Sequence, residues 1–264
     1  MTAAPNRRGR IWLARLLILL AILGLWQFAS ERSTMTHFFF GSPLEVGQVI
    51  VKWSATGMIY RHLAITLTET LLSFAIGTAL ALVIGLWLAL DRFWSGVLDP
   101  FIKGVNTMPR LILAPIFSVW FGLGIWSKVA LGVTIVFFIV FFNVYQGVRE
   151  VSPILLANVR MLGANRAQLV RRVYIPSAMS WVFSSLHLSV GMAFVGAVIG
   201  EYLGSAAGVG YLILQAESTF EINAVIAGIA ILTACALALD AVVTLVEGAL
   251  IGRSRPRAAE ARAG

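Results

Sequence analysis

Met108-Pro109-Arg110-Leu111-Ile112-Leu113-Ala114-Pro115-Ile116-Phe117-Ser118-Val119-Trp120-Phe121-Gly122-Leu123-Gly124 is the stretch on which the fold turns. Its apolar part, 111–124, rises about 21 Å as a helix. A bilayer's hydrocarbon core is roughly 30 Å thick, so this run is too short to cross alone. Pro115 lies inside it and Pro109 just before it. Either the run recruits residues 101–109, or it is a broken helix that lines a cavity, where freed backbone groups are tolerated. Whether it crosses sets the number of spans, and with it the side of the membrane on which every later loop lies.

Around it lie five further apolar runs, at 11–30, 63–90, 129–147, 178–200 and 222–246. Each satisfies its backbone in lipid only as a helix. Charge decides the count. With six crossings and a cytoplasmic N-terminus, sixteen of the twenty Lys and Arg residues fall inside. Only Arg32, Lys52, Arg61 and Lys128 are left outside, as the positive-inside rule requires. If the third run re-entered, 149–172 would lie outside and the asymmetry would collapse. The expectation is an all-α integral membrane protein with six transmembrane helices and both termini cytoplasmic. A cytoplasmic tail at 1–10, a single six-helix transmembrane domain at 11–251 and a basic cytoplasmic tail at 252–264 follow. Arg7, Arg8 and Arg10 before the first run resemble a signal-peptide n-region. The run is long for such a segment, however, and no convincing A-x-A site follows, so it is read as a span.

Composition narrows the function classes. The chain is 59% hydrophobic and 12% charged, against about 25% charged in soluble domains. No separate soluble domain fits. The net charge of +8 flanks apolar runs and forms no basic face, so nucleic-acid binding is not expected. Cys235 is the only cysteine, so no intrachain disulfide can form. There is no phosphate-binding glycine loop, no His/Cys metal spacing and no nucleophile–base pair. His37, His62 and His187 are scattered. The chain carries no metal site, cofactor site or catalytic cluster of its own and reads as a non-enzyme.

Two polar segments read as built structures. Ser42-Pro43-Leu44-Glu45 is a helix start, with serine as cap, proline at the first position and glutamate reaching back. Val46, Val49, Ile50 and Trp53 then share one face, which makes an amphipathic helix on the outer surface. Within the loop at 148–177, Ser152-Pro153 gives another cap. Leu155, Val159 and Leu162 follow on one helical face. Gly163 stands where a helix end needs a left-handed residue. Asn165 and Gln168 are spaced as a capping box. A short basic helix at 166–172 follows, with a break at Ile175-Pro176. This is a helical hairpin with an apolar face and an arginine rim. It is either a positive-inside loop with a capped interfacial helix or a docking element.

The segment Arg160-x-Leu162-Gly163-Ala164, with Ile175-Pro176 downstream, resembles the EAA loop of binding-protein-dependent ABC importer permeases. Ala157-Asn158-Val159 stands where that family has Glu-Ala-Ala. Further stretches resemble the nitrate/sulfonate/taurine branch: Gly41-Ser42-Pro43-Leu44-Glu45-Val46, Met108-Pro109 through Gly124, Gly200-Glu201-Tyr202-Leu203-Gly204, and Gly208-Val209-Gly210-Tyr211-Leu212-Ile213. The resemblance implies that a coupling helix between the fourth and fifth spans docks on a separate ATPase subunit. Ala157, Asn158, Arg160, Leu162, Gly163, Ala164, Asn165, Arg166 and Pro176 are the coupling residues it implies. It also implies a homodimer in a bacterial inner membrane, two ATPase copies that bind the ATP and magnesium, and an extracytoplasmic solute-binding protein. The solute is then a nitrate-, sulfonate- or taurine-like anion or a related small molecule. The rival readings are an energy-coupling-factor component, which predicts two Ala-Arg-Gly-like motifs, and a stand-alone transporter or channel, which predicts internal repeats.

On the kinked third run, Met108, Pro109, Pro115, Phe117, Ser118 and Trp120 are candidates for the wall of the translocation path; packing alone is the alternative. Glu201 joins them as a candidate gating residue. Asp240 and Glu69 lie within spans, where ionisable groups are expensive and default to functional candidates. Asp240 lies near the apparent end of its run, where the cost falls below the mid-bilayer figure of about 2.5–3.5 kcal/mol. It faces the bundle or a dimer partner, paired or hydrated, or it lines the path. Glu69 lies about 10 Å into the second span and either makes a structural hydrogen bond or lines the outer mouth.

Overall fold

A chain with apolar residues all round its helices has no water to satisfy its backbone, so each run closes its own hydrogen bonds. The computed structural model describes residues 7–252 and holds, among them, helices and no strand. In chain order they are α1 (Arg7–Arg32), α2 (Thr34–Phe40), α3 (Pro43–Ala55), α4 (Met58–Leu90) and α5 (Arg92–Thr107). A 3₁₀ turn (Arg110–Ile112) leads into α6 (Leu113–Phe121), followed by α7 (Ile125–Arg149), α8 (Pro153–Met161) and α9 (Arg166–Leu169). A π-helical turn (Val170–Tyr174) joins α9 to α10 (Ile175–Ser184), and α11 (Leu186–Leu203), α12 (Val209–Ser218) and α13 (Ile222–Gly252) complete the order. Arg253, Arg255, Arg257 and Arg262, which belong to the expected basic tail at 252–264, lie outside the described residues, as do residues 1–6.

Four described helices are each long and apolar enough to cross a membrane: Gly9–Arg32, Met58–Leu90, Ile125–Arg149 and Ile222–Val246. The expected fifth run is not one rod. It bends by 59° between Arg166–Phe183 and His187–Leu203. The third run holds only the shorter apolar helix Arg110–Phe121; α5 precedes it, with a break at Met108-Pro109, where the 3₁₀ turn begins after Pro109.

The chain divides into two compact units, residues up to Tyr60 with Leu212–Leu232, and Arg61–Tyr211 with the remainder. In the first unit, Ser42 Oγ accepts the Glu45 N–H (3.3 Å), which is the expected cap. The return bond differs from expectation. The Ser42 N–H donates to Asn223 Oδ1 (2.9 Å). Glu45 instead pairs with His37 (3.2 Å) and accepts from the Asn223 side chain. A Cβ on Gly41 would fall 2.1 Å from Asn223 Oδ1, so only glycine lets α3 start so close to α13.

In the second unit α7 is the hub. Gly77, Ala81 and Gly85 of α4, spaced by four, form a small-residue stripe. Val136 and Val144 of α7 press directly on the two glycines, a close approach of the kind that holds helices together in lipid. α11 meets α7 the same way: Gly196 packs on Gly132 and Gly200 on Lys128. α10 continues that line, with Trp181 over Gly147 and the Ser177 hydroxyl donating to the Gly147 carbonyl (2.7 Å). α5 and α6 run antiparallel to α7 along its whole length. Ser95 meets Tyr145 and Arg149, the Arg110 guanidinium lies 4.9 Å from the Phe138 ring, and Phe117 packs with Leu131.

Candidate functional site

The hairpin after α7 is built largely as its sequence predicts. The Gly163 φ of +81° is the left-handed residue that ends α8, and the Ala164 N–H returns to the Val159 carbonyl (3.2 Å). Asn165 and Gln168 close both bonds of the capping box, at 2.9 Å each. Two expectations fail. Ser152 makes no side-chain cap. The chain also does not break at Ile175-Pro176. Proline has no N–H and its ring clashes with the carbonyl four residues back. The π turn at Val170–Tyr174 widens the backbone just before it, and α9 runs into α10 without leaving helix.

The hairpin leaves apolar side chains uncovered. Met161 and Leu162 are 79% and 86% exposed at its tip, and Ile154 is 73% exposed. Ala157, Asn158, Arg160, Gly163, Asn165, Arg166 and Pro176 are exposed as well, and Ala164 is half-buried. No atom lies within 4 Å of a Cβ built on Gly163. Leu155 and Val159 face a cleft of about 570 Å³ against Arg172, Val173 and Ser177.

The path candidates divide. Met108, Pro109, Pro115 and Trp120 are exposed on the broken segment. Phe117 is buried against Leu131 and Ala114, and Ser118 is half-buried, its hydroxyl donating to the Ala114 carbonyl (3.0 Å). Glu201 is fully enclosed. Its Oε1 accepts from Thr66 Oγ1 (2.6 Å) and its Oε2 from the Gly210 N–H (2.8 Å). Thr66 also takes the Val209 N–H (3.1 Å), and His62 Nδ1 takes that of Gly208 (3.0 Å). Glu201 therefore ties the turn before α12 onto α4. Gly208, at φ +108°, is required there, because its Cβ would fall 2.1 Å from the Glu201 carboxyl carbon.

Lys128 is the residue that sequence reasoning missed. Counted among the outside charges, it is buried in the first turns of α7. Its ammonium donates to the Leu123 (2.6 Å) and Gly124 (3.1 Å) carbonyls and acts electrostatically on Glu69 and Glu201, both buried. Its signal in the sequence was depth: Glu69, Lys128 and Glu201 all fall near the same end of their spans. Asp240 is paired with His187 across 3.9 Å.

The hairpin thus presents an uncovered apolar tip beside a bundle of closely packed helices. Residues 81–252 match the family described as binding-protein-dependent transport system inner membrane component. The chain belongs to this family. Among its relatives are a permease of Bacillus subtilis named for aliphatic sulfonate transport, SsuC, 30% identical over 94% of this chain and 90% of the relative. The formylaminopyrimidine transport permease protein ThiX of Halalkalibacterium halodurans is 30% identical over 89% and 93%. The taurine transport system permease protein TauC of Escherichia coli is 25% identical over 84% and 82%. The membrane subunit fold also matches a chain of the inward-facing MetNI methionine ABC transporter, with a TM-score of 0.63 at 16% identity, covering 75% of this chain and 96% of that one. The protein is a permease component of an ABC importer, a transport subunit and not an enzyme. Membership implies an ATPase partner and a substrate-binding protein.

Proposed function

We propose that this permease works as a homodimer in a bacterial plasma membrane, with two ATPase subunits bound to its cytoplasmic hairpins and an extracytoplasmic binding protein delivering a small solute. Both termini are cytoplasmic and six segments cross: α1, α4, the broken α5–α6 segment, α7, the bent α10–α11 pair and α13. The antiparallel run of α5 and α6 along α7 supports a full crossing by the third segment. The observation that carries the coupling role is the exposure of Met161 and Leu162 at a rigidly capped tip rimmed by Arg160 and Arg166. Such an apolar tip in water is stabilised by a partner cleft. Ala157, Asn158, Leu162, Gly163, Ala164 and Asn165 form the inserted tip, and Pro176 sets the stiff connection to the fifth span. ATP and magnesium are held by the partner, whose closure moves the hairpin as a rigid lever.

The exposed residues of the broken segment, Met108, Pro109, Pro115 and Trp120, form one wall of the path; Phe117 and Ser118 hold that wall on α7 and α11. Glu201 acts as the latch that keeps the outer ends of α4, α11 and α12 together. The solute is of the class the relatives' names cover: a sulfonate, taurine or a small heterocycle. The test is reconstitution in liposomes with the ATPase and binding protein encoded beside this gene. ATP-dependent accumulation of taurine, an alkanesulfonate or an aminopyrimidine is expected. Accumulation that persists without the ATPase refutes the proposal.

A further inference from the structure

α13 carries an exposed acid, Asp240, toward the far end of its span. Asp240 lies about 27 Å along the helix from Ile222 by its rise, and its side chain is 67% exposed. Thr233, Asp240 and Thr244, at i, i+7 and i+11, fall on one helical face, and all three are exposed. Leu232, Ala236, Leu239 and Val243 form the adjacent face; the last three of them turn to α11 across the cleft described next. The far side, with Val242 and Leu245, is apolar and exposed, as a lipid-facing side must be. A polar stripe on one flank of such a helix faces water or a polar partner.

Beside that stripe is a cleft of about 300 Å³ between α11 and α13, with Leu188, Met192 and Val195 on one wall and Ala236, Leu239 and Val243 on the other. Asp240 and His187 stand among its lining residues. His187 Nε2 is 3.1 Å from Thr244 Oγ1 and 3.9 Å from Asp240 Oδ1. At Gly191 nothing lies within 4 Å of a built Cβ, so the gap is open over the helix backbone. An apolar cleft with a few convergent polar groups is the usual form of a small-molecule subsite.

We propose that this cleft is a membrane-embedded subsite of the transport path, taking a small solute that presents an ammonium or another N–H donor to Asp240. The proposal rests on the importer reading and deepens it. A carboxylate only accepts hydrogen bonds, so it offers no bond to an anion that brings no donor. Taurine carries an ammonium and an aminopyrimidine carries an exocyclic N–H; a plain alkanesulfonate carries neither. The path therefore favours the amine-bearing members of the substrate class.

Two arms test this on the complete complex. In a Cys235→Ala background, single cysteines at 233, 237, 240 and 244 are expected to react with a charged, water-soluble thiol reagent, and cysteines at 238, 242 and 245 are not. Equal reactivity on both faces, or none on the stripe, overturns the proposal. In uptake, taurine or an aminopyrimidine is expected to exceed ethanesulfonate, and Asp240→Asn is expected to lower the amine-bearing solute's uptake at least tenfold. Equal uptake of taurine and ethanesulfonate, or an unchanged Asp240→Asn profile, overturns it too. If the wild-type complex shows no ATP-driven uptake of any of these solutes, the importer reading's substrate class fails, and the labelling pattern alone judges the cleft.

Discussion

Replacing Gly208 by alanine should unlatch the outer end of the bundle. The new Cβ would fall 2.1 Å from Glu201 Oε1 and 2.5 Å from Oε2. Side-chain rotation cannot relieve this while the carboxyl keeps its partners, because both oxygens are already engaged, by Thr66 and by the Gly210 N–H. The carboxyl must leave, and two hydrogen bonds are lost, leaving buried polar groups unpaired at about 1–3 kcal/mol each. The φ of +108° adds about 1–3 kcal/mol of backbone strain for a residue with a Cβ. The substitution should therefore cost at least about 3 kcal/mol. At roughly 2–4 °C per kcal/mol for a chain of this size, melting in detergent should fall by about 10 °C. A double-mutant cycle isolates the cause. In a Glu201→Ala background, where the carboxyl is gone, Gly208→Ala should lose only the strain. Gly191→Ala, with open space at its Cβ, is the control and should melt with the wild type or above it. Full additivity of Gly208→Ala and Glu201→Ala would refute the latch.

Three further outcomes are expected. Gly163→Asp should abolish ATP-dependent uptake while the protein still inserts, because no atom crowds that position and the loss falls on docking; fractionation with an uptake assay checks both. Asn165→Ala removes one half of the capping box and should cost about 1 kcal/mol locally, read as faster amide exchange at 165–169 with the rest of the bundle unchanged. Lys128→Met removes the ammonium's bonds to the Leu123 and Gly124 carbonyls and the positive charge that acts on the buried Glu69 and Glu201; buried acceptors left unpaired cost about 1–3 kcal/mol each, and a thermal melt should show it, whereas Lys52→Met on the exposed α3 should be neutral.

The long helices were legible because lipid leaves one solution for an apolar run: α4, α7 and α13 stand where the runs predicted them. Gly163 and the Asn165–Gln168 box were legible because both are local, closed within four residues. Glu45 misled for the opposite reason. Its motif is a capping box, but Asn223, far along the chain, supplies the better acceptor for the Ser42 N–H, and tertiary contact overrides the local pattern. Pro176 was read as a break because proline cannot join an α-helical ladder; a π turn is the other solution, and nothing in the spacing announces it. The bend between Phe183 and His187 carries neither proline nor glycine. Lys128 sat beside a Gly-rich turn and read as a loop charge, although it shares its depth with Glu69 and Glu201; the meeting of α4, α7 and α11 makes it a core residue.

The central claim is that the hairpin of α8 and α9 seats a separate ATPase. The most direct measurement is to tag the permease in its native host, extract it in mild detergent and identify the co-purifying chains by mass spectrometry, with Gly163→Asp alongside. The account predicts a stoichiometric ATPase with the wild type and its loss from the variant. A clean permease oligomer without an ATPase, under conditions that preserve other ABC complexes, would contradict it.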